Sequence, residues 1–272
     1  MSAQPLASPS GQSANPLIDP LRSASPPVVA LAAVAGHAKL TQPELQALRG
    51  DAWFASLSSE LQHAILARAT VRRLRAGTVL VRGGSGAGEA WFGVAAGAVR
   101  LSTSLASGRQ VNFQLVEPGA WFGDIPLIDG LAAPCDAETC ADSTLLVLRK
   151  EDLLQLLSRH PDFGIALARL NGRRTRQLMS LFADALSLPL ENRLARQLLQ
   201  LARRFGSRAA GDAVRIGLKL SQQDLADLLG ASRQRVNAGL KKLERDGLLW
   251  LATGRWEVLD LEALEALADQ AG

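Results

Sequence analysis

Apolar residues recur along this chain with two different periods, and the change of period divides it. In "TQPELQALRGDAWFASLSSELQHAILARA" the spacing is helical. Leu57, Leu61 and Ile65 recur every four residues, and Ser58 or Ser59 can cap the start. From Thr70 to about Lys150 the texture becomes short apolar runs, with turn residues arriving roughly every ten positions. Strands are predicted near Val71–Leu74, Thr78–Val81, Ala90–Ala95, Ala98–Thr103, Gln110–Val116 and Trp121–Phe122, and "STLLVLRK" closes the set. This is the pattern of an antiparallel barrel or jelly roll.

The helical period then returns. "KEDLLQLLSRHP" starts one helix, and Asp162 to Leu188 reads as a single long one. Phe163, Leu167, Leu170, Leu178, Leu181 and Ala185 fall on spacings that suit a two-helix coiled coil, with Arg174 interrupting. Phe163, Leu167, Leu170, Leu178 and Leu181 are the predicted dimer seam of a homodimer. Pro189 ends the helix and marks a boundary. An amphipathic helix, "LENRLARQLLQLARRFG", follows, then a loop.

The last third holds the densest pattern. Ser221 opens an S-x-x-D cap for a helix over Gln222–Leu229, whose buried face is Leu225, Leu228 and Leu229. Gly230 permits a sharp turn, and Ser232 caps the next helix. There Val236, Leu240 and Leu243 form the inner stripe, and Arg233, Gln234, Asn237 and Lys241 the opposite face. Helix, short glycine turn and capped polar helix make a helix-turn-helix, whose second helix presents its first residues to base edges. Arg suits guanine, and Gln or Asn suits adenine. Lys241 and Lys242 lie further along and suit phosphate, as does the helix start. "LLWLATGRWEVL" reads as a β-hairpin wing turning at Thr253-Gly254, with Arg255 at its tip as a phosphate contact.

Charge strengthens this reading. From Pro189 to Trp256 there are 13 Lys and Arg against 6 Asp and Glu, within a chain of net charge only +4. The basic excess therefore sits around the motif, and double-stranded DNA is the expected partner. Other classes lose support. Cys135 and Cys140 are too few for a disulfide framework, and their spacing fits no common zinc site. His37, His63 and His160 are scattered and none lies on a barrel strand, so a cupin-like metal enzyme is not expected, nor any metal. The apolar run Val28–Ala35 is too short to span a membrane and lies behind a Pro-rich, nearly uncharged lead. A cytoplasmic location without a membrane partner is expected. Residues 1–40 hold six of the twelve prolines and are expected to be a disordered tail.

A barrel, a long helix and a winged helix-turn-helix, in that order, resemble the Crp-Fnr family, bacterial transcription regulators related to the cyclic-AMP receptor protein. The resemblance rests on "GAVRLS", "EPGAWFGDIPLIDG" and "LSQQDLADLLGASRQRVNAGLKKLERDGLL". It implies an α+β chain: a cyclic-nucleotide-binding-type barrel over 41–155, a dimerisation helix over 156–188 and a DNA-binding domain over 189–272. It implies a homodimer reading a palindromic operator through Arg233, Gln234 and Asn237, backed by Ser221, Gln222 and Ser232, with RNA polymerase as a further candidate partner. Ala238 stands where the cyclic-AMP-type members carry another Arg.

The resemblance also implies an effector pocket. Its opening survives as Gly123-Asp124-Ile125, whose carboxylate would bond a ribose hydroxyl. Ala133, Pro134 and Cys135 stand where an Arg and a hydroxyl residue are expected, and Gly123–Thr144 contains no arginine. A buried phosphate without its arginine loses a charge-assisted pair. A small-molecule or nucleotide effector is expected, with cyclic AMP binding weakly or not at all unless Arg100 or Arg109 reaches in from a neighbouring strand. Two alternatives accompany this reading: redox response through Cys135 and Cys140, and a winged helix that binds protein.

Overall fold

A computed structural model describes residues 39–86, 88–252 and 254–270. Nearly all of the expected tail, with His37 and Val28–Ala35, lies outside the described residues, as does Thr253 of the predicted wing turn.

Three short helices open the fold: α1 (Gln42–Gly50), α2 (Ala52–Ala55) and α3 (Ser59–Arg68). Each begins at a capping residue. Asp51 accepts from the N–H groups of Trp53 and Phe54, and Ser58 accepts from that of Leu61. At α1, Thr41 and Glu44 form a capping box.

The barrel follows as β1 (Thr70–Leu74), β2 (Val79–Val81), β3 (Ala90–Ala96), β4 (Val99–Ser104), β5 (Gln110–Val116), β6 (Trp121–Phe122), helix α4 (Ile125–Asp129), β7 (Asp136–Thr139) and β8 (Ser143–Arg149). These strands form two four-stranded antiparallel sheets, ordered β1-β8-β3-β6 and β2-β7-β4-β5. Strand β7 has no counterpart in the sequence reading. Asp, Ala, Glu and Thr lack a strand-like apolar pattern, and β7 exists because β2 and β4 both pair with it. The barrel interior is apolar, built on Leu80, Phe92, Val94, Val99, Val116, Phe122 and Leu145. An aromatic cluster joins the barrel to the helices around it. Trp91 and Trp121 lie 4.2 Å apart by ring centroid, and Phe54 stacks on Trp121 at 5.5 Å. Gly93 admits this cluster, since a Cβ there would meet the Trp121 ring at 2.9 Å.

Helices α5 (Lys150–Arg159) and α6 (Pro161–Ser187) leave the barrel. The expected seam divides on α6. Phe163 and Leu167 are buried in the core of their own domain, Leu170 packs beside them, and Trp53 donates its indole N–H to the Ala166 carbonyl at 2.8 Å. These three therefore form no exposed seam, because the aromatic cluster claims that face. Leu178 is 57% and Leu181 40% exposed. A different stripe is exposed along the whole helix: Ile165, Ala168, Gly172, Thr175, Met179, Phe182 and Leu186. Its spacings alternate three and four without a break, and its small middle residues disguised it in the sequence.

Beyond Pro189 come α7 (Leu190–Phe205), β9 (Gly206–Arg208), β10 (Val214–Ile216), α8 (Gln222–Leu229), α9 (Arg233–Arg245), β11 (Leu249–Ala252), β12 (Arg255–Val258) and α10 (Leu261–Asp269). The wing is larger than a hairpin. It is a four-stranded sheet ordered β11-β12-β10-β9, two strands of which occupy the expected loop. The core of this domain includes Ala98 and Leu115 of the barrel.

Candidate nucleic-acid interface and effector pocket

The two motif helices form as their caps dictate. Ser221 accepts from the Asp224 N–H at 3.1 Å, and Asp224 accepts from the Ser221 N–H at 2.9 Å. Gly230 takes φ 63° in the turn, a conformation that favours glycine. Ser232 accepts from the Arg235 N–H at 3.3 Å. Val236, Leu240 and Leu243 are buried, which fixes the rotation of α9 and leaves Arg233, Gln234, Arg235, Ala238 and Lys241 exposed. Asn237 is half-buried, and its side-chain carbonyl accepts from Gln222 at 2.9 Å. That bond joins two predicted contact residues to each other and pins α8 against α9.

Two predicted phosphate contacts are otherwise engaged. Lys242 pairs with Glu191 of α7, which raises its pKa. Arg255 pairs with Glu257 at 2.8 Å and lies over the Trp250 ring at 5.4 Å. Lys241 is exposed on α9, and Arg255 remains half-exposed at the wing.

The predicted pocket residues Gly123, Asp124, Ile125, Ala133, Pro134 and Cys135 all line one cavity of about 1200 Å³. It runs from the barrel interior past α6 to the surfaces of α7 and α8. Sequence reasoning missed what fills its cassette. The Asp124 carboxylate is buried, 1% exposed, and accepts from Arg174 at 2.8 Å and from Asn171 at 2.8 Å. Arg174 also donates to the Trp121 carbonyl. The only sign of this in the sequence was that Arg174 broke an apolar period.

Neither arginine named as a possible substitute reaches the cavity. Arg100 lies on the opposite side of β4 and bridges Glu138 at 3.3 Å and Asp224 at 3.2 Å. Arg109 is exposed on the β4–β5 turn. Burial pushes both the Cys135 and the Cys140 thiols up to about 11, so at neutral pH neither is the reactive thiolate that a redox sensor needs. They flank β7, which at about 3.3 Å per residue holds them too far apart for a disulfide. Among the described residues, no three His, Cys, Asp or Glu side chains group as metal ligands, and no helix is long and apolar enough to cross a membrane.

Comparison with known proteins fits this geometry. The pattern of the Crp-like helix-turn-helix domain matches residues 192–267, and that of the cyclic nucleotide-binding domain matches residues 71–160. The cyclic AMP receptor protein of Thermus thermophilus is 35% identical over 182 residues, spanning 66% of this chain and 80% of that one. The chain belongs to the Crp-Fnr family. Among Crp-Fnr structures, a CRP-family transcriptional regulator from Thermus thermophilus superposes with a TM-score of 0.62 at 27% identity, over 74% of this chain and 97% of that one. The c-di-GMP-responsive global regulator of Xanthomonas campestris superposes with a TM-score of 0.62 at 25% identity, over 75% and 100%. The Crp-Fnr relatives are transcriptional regulators with a helix-turn-helix DNA-binding domain, and no catalytic family is indicated.

The interface between barrel and DNA-binding domain was also invisible in the sequence. Besides the Arg100 bridge, Asn112 donates to the Asp224 carbonyl at 3.3 Å, and Arg204 pairs with Glu117 at 3.1 Å. Burial raises the Glu117 pKa, against the pull of Arg204.

Proposed function

We propose that this protein is a homodimeric transcription regulator that reads a palindromic operator through the first turns of α9, under control of an effector held by its barrel. The observation that carries the DNA-reading part is the exposed pair Arg233 and Gln234, presented at the capped start of a helix whose far face is locked into the core. Arg233 addresses guanine O6 and N7, and Gln234 addresses adenine. Asn237 supports the pair from behind, through the bond its carbonyl accepts from Gln222. Lys241 addresses phosphate directly, and Arg255, half-exposed beside its partner Glu257, adds a weaker phosphate contact from the wing.

The dimer reading rests on α6. Its exposed stripe keeps one alternation of three and four over the full helix, which two copies can bury against each other. A two-fold dimer of such domains places half-sites about 34–36 Å apart. The regulator's effector is not cyclic AMP bound in the family's usual way, because the cassette arginine is absent and Asp124 is already paired.

The test is selection of binding sites from random duplex DNA, followed by fluorescence anisotropy. A palindromic site is expected. Arg233→Ala and Gln234→Ala are each expected to weaken binding to it by about 1–3 kcal/mol and to relax one base position. Affinity is expected to fall steeply with log salt. Selection that yields no enriched sequence, or affinity indifferent to salt, overturns the reading.

A further inference from the structure

The cavity behind the cassette keeps the Gly123-Asp124-Ile125 opening but has lost the arginine and several of the N–H donors by which such a fold holds a phosphate. The arginine position is Ala133 and its neighbour is Pro134, which has no N–H. The Ala133 N–H donates to the Ser85 carbonyl at 3.0 Å. At the start of α4 Pro126 removes another donor, and the Leu127 and Ile128 N–H groups both turn back to the Asp124 carbonyl at 3.1 Å. Arg174, the cation beside Asp124, is held by the Asp124 carboxylate and the Trp121 carbonyl. An anion entering the cassette meets the buried Asp124 carboxylate first, and like charges at close range in a dry site repel strongly. The indole N–H of Trp121, buried at the cavity wall without a partner, is a neutral donor that suits an uncharged polar atom. The walls are predominantly apolar: Leu80, Phe92, Leu101, Val111 and Val116 line the barrel part of the cavity beside Asn112 and Gln114, and half-exposed Ile125 stands at its rim.

We propose that this cavity binds an uncharged, predominantly apolar small molecule, and that this molecule takes the place of a cyclic nucleotide as effector. The inference rests on the effector-controlled reading above. The barrel part is one end of a space of about 1200 Å³ that continues past α6 to α7 and α8, so a lipophilic guest can enter the barrel from that side. Burial of apolar surface supplies the affinity, and exclusion of charge supplies the selectivity.

The test is a titration of the full chain with N-phenyl-1-naphthylamine, an uncharged probe that fluoresces in apolar surroundings. Saturable one-to-one binding is expected, with quenching of tryptophan emission, because Trp121 lines the cavity. 1-Decanol is expected to displace the probe, decanoate to do so at least about tenfold less well, and cyclic AMP and cyclic GMP not at all at millimolar concentration. Val111→Trp, which fills the cavity, is expected to weaken the probe about tenfold or more, and Leu154→Trp on exposed α5 to leave it unchanged. If Val111→Trp does not fold, Leu101→Phe, a smaller filling of the same wall, takes its place and is expected to weaken the probe severalfold. Displacement by cyclic AMP at micromolar concentration, equal displacement by decanol and decanoate, or binding without quenching each overturns the proposal. Operator binding is read on the same sample by anisotropy, so failure of the DNA-reading assignment registers separately.

Discussion

Arg174 serves Asp124 as a buried counter-ion, and neither side chain is independent of the other. Removing the arginine alone leaves a desolvated carboxylate. Arg174→Ala is therefore expected to lower unfolding stability by about 3–5 kcal/mol in urea titration, and Asp124→Asn combined with Arg174→Met to recover much of the loss. Glu44 gives a pH-dependent case. Its hydrogen bond from Arg73 holds its pKa at about 2, below the ordinary 4.5. The folded-state value is depressed, so the stabilisation is present above pH 4.5 and is lost as pH falls through about 2. The stability gap between the unaltered chain and Arg73→Ala is expected to be full at pH 7 and to shrink steadily on acidification below about pH 4.5, measured by thermal melts. At this scale the sequence disclosed positions but not partners. Gly123-Asp124-Ile125 was readable because three adjacent residues carry the motif. The Asp124–Arg174 pair joins residues 50 apart, and no local pattern encodes such a pair.

Among the elements, α6 shows most plainly how one period can serve two faces. A helix with apolar residues on two stripes looks, in sequence, like one broken stripe. Phe163 and Leu167 turn inward because the tryptophans wait there, and Met179 and Phe182 turn outward. If the proposed dimer forms through this stripe, Phe182→Asp, on a side chain 67% exposed, is expected to yield monomer in sedimentation equilibrium and to remove the dependence of the melting temperature on protein concentration. Leu154→Asp on α5 is expected to leave the assembly unchanged. Most strands were legible because β3, β5 and β8 carry β-branched and aromatic residues between clear turns. Strands β7, β9 and β10 were not, since they are short and owe their pairing to neighbours. The caps at Ser221 and Ser232 fixed both motif helices in advance, and the Gly230 turn between them followed.

In the whole molecule, barrel and DNA-binding domain share one hydrophobic cluster, in which Ala98 and Leu115 lie among the side chains of α7, α8 and α9. Two domains so joined lose their separate cooperativity. Scanning calorimetry of the full chain is expected to show one merged transition, and Leu115→Ala to split or broaden it. Nothing in the sequence of either domain announced this contact, because Leu115 looked like any strand residue and Asp224 like a helix cap. The shared cluster also gives the joint two unlike sensitivities. Apolar association loosens on cooling, whereas the ion pairs of Arg100 and Arg204 loosen as salt rises. Chill and ionic strength thus act on the same seam from opposite sides of its chemistry, so the hold between barrel and helix-turn-helix domain is sensitive to the surroundings as well as to its own side chains.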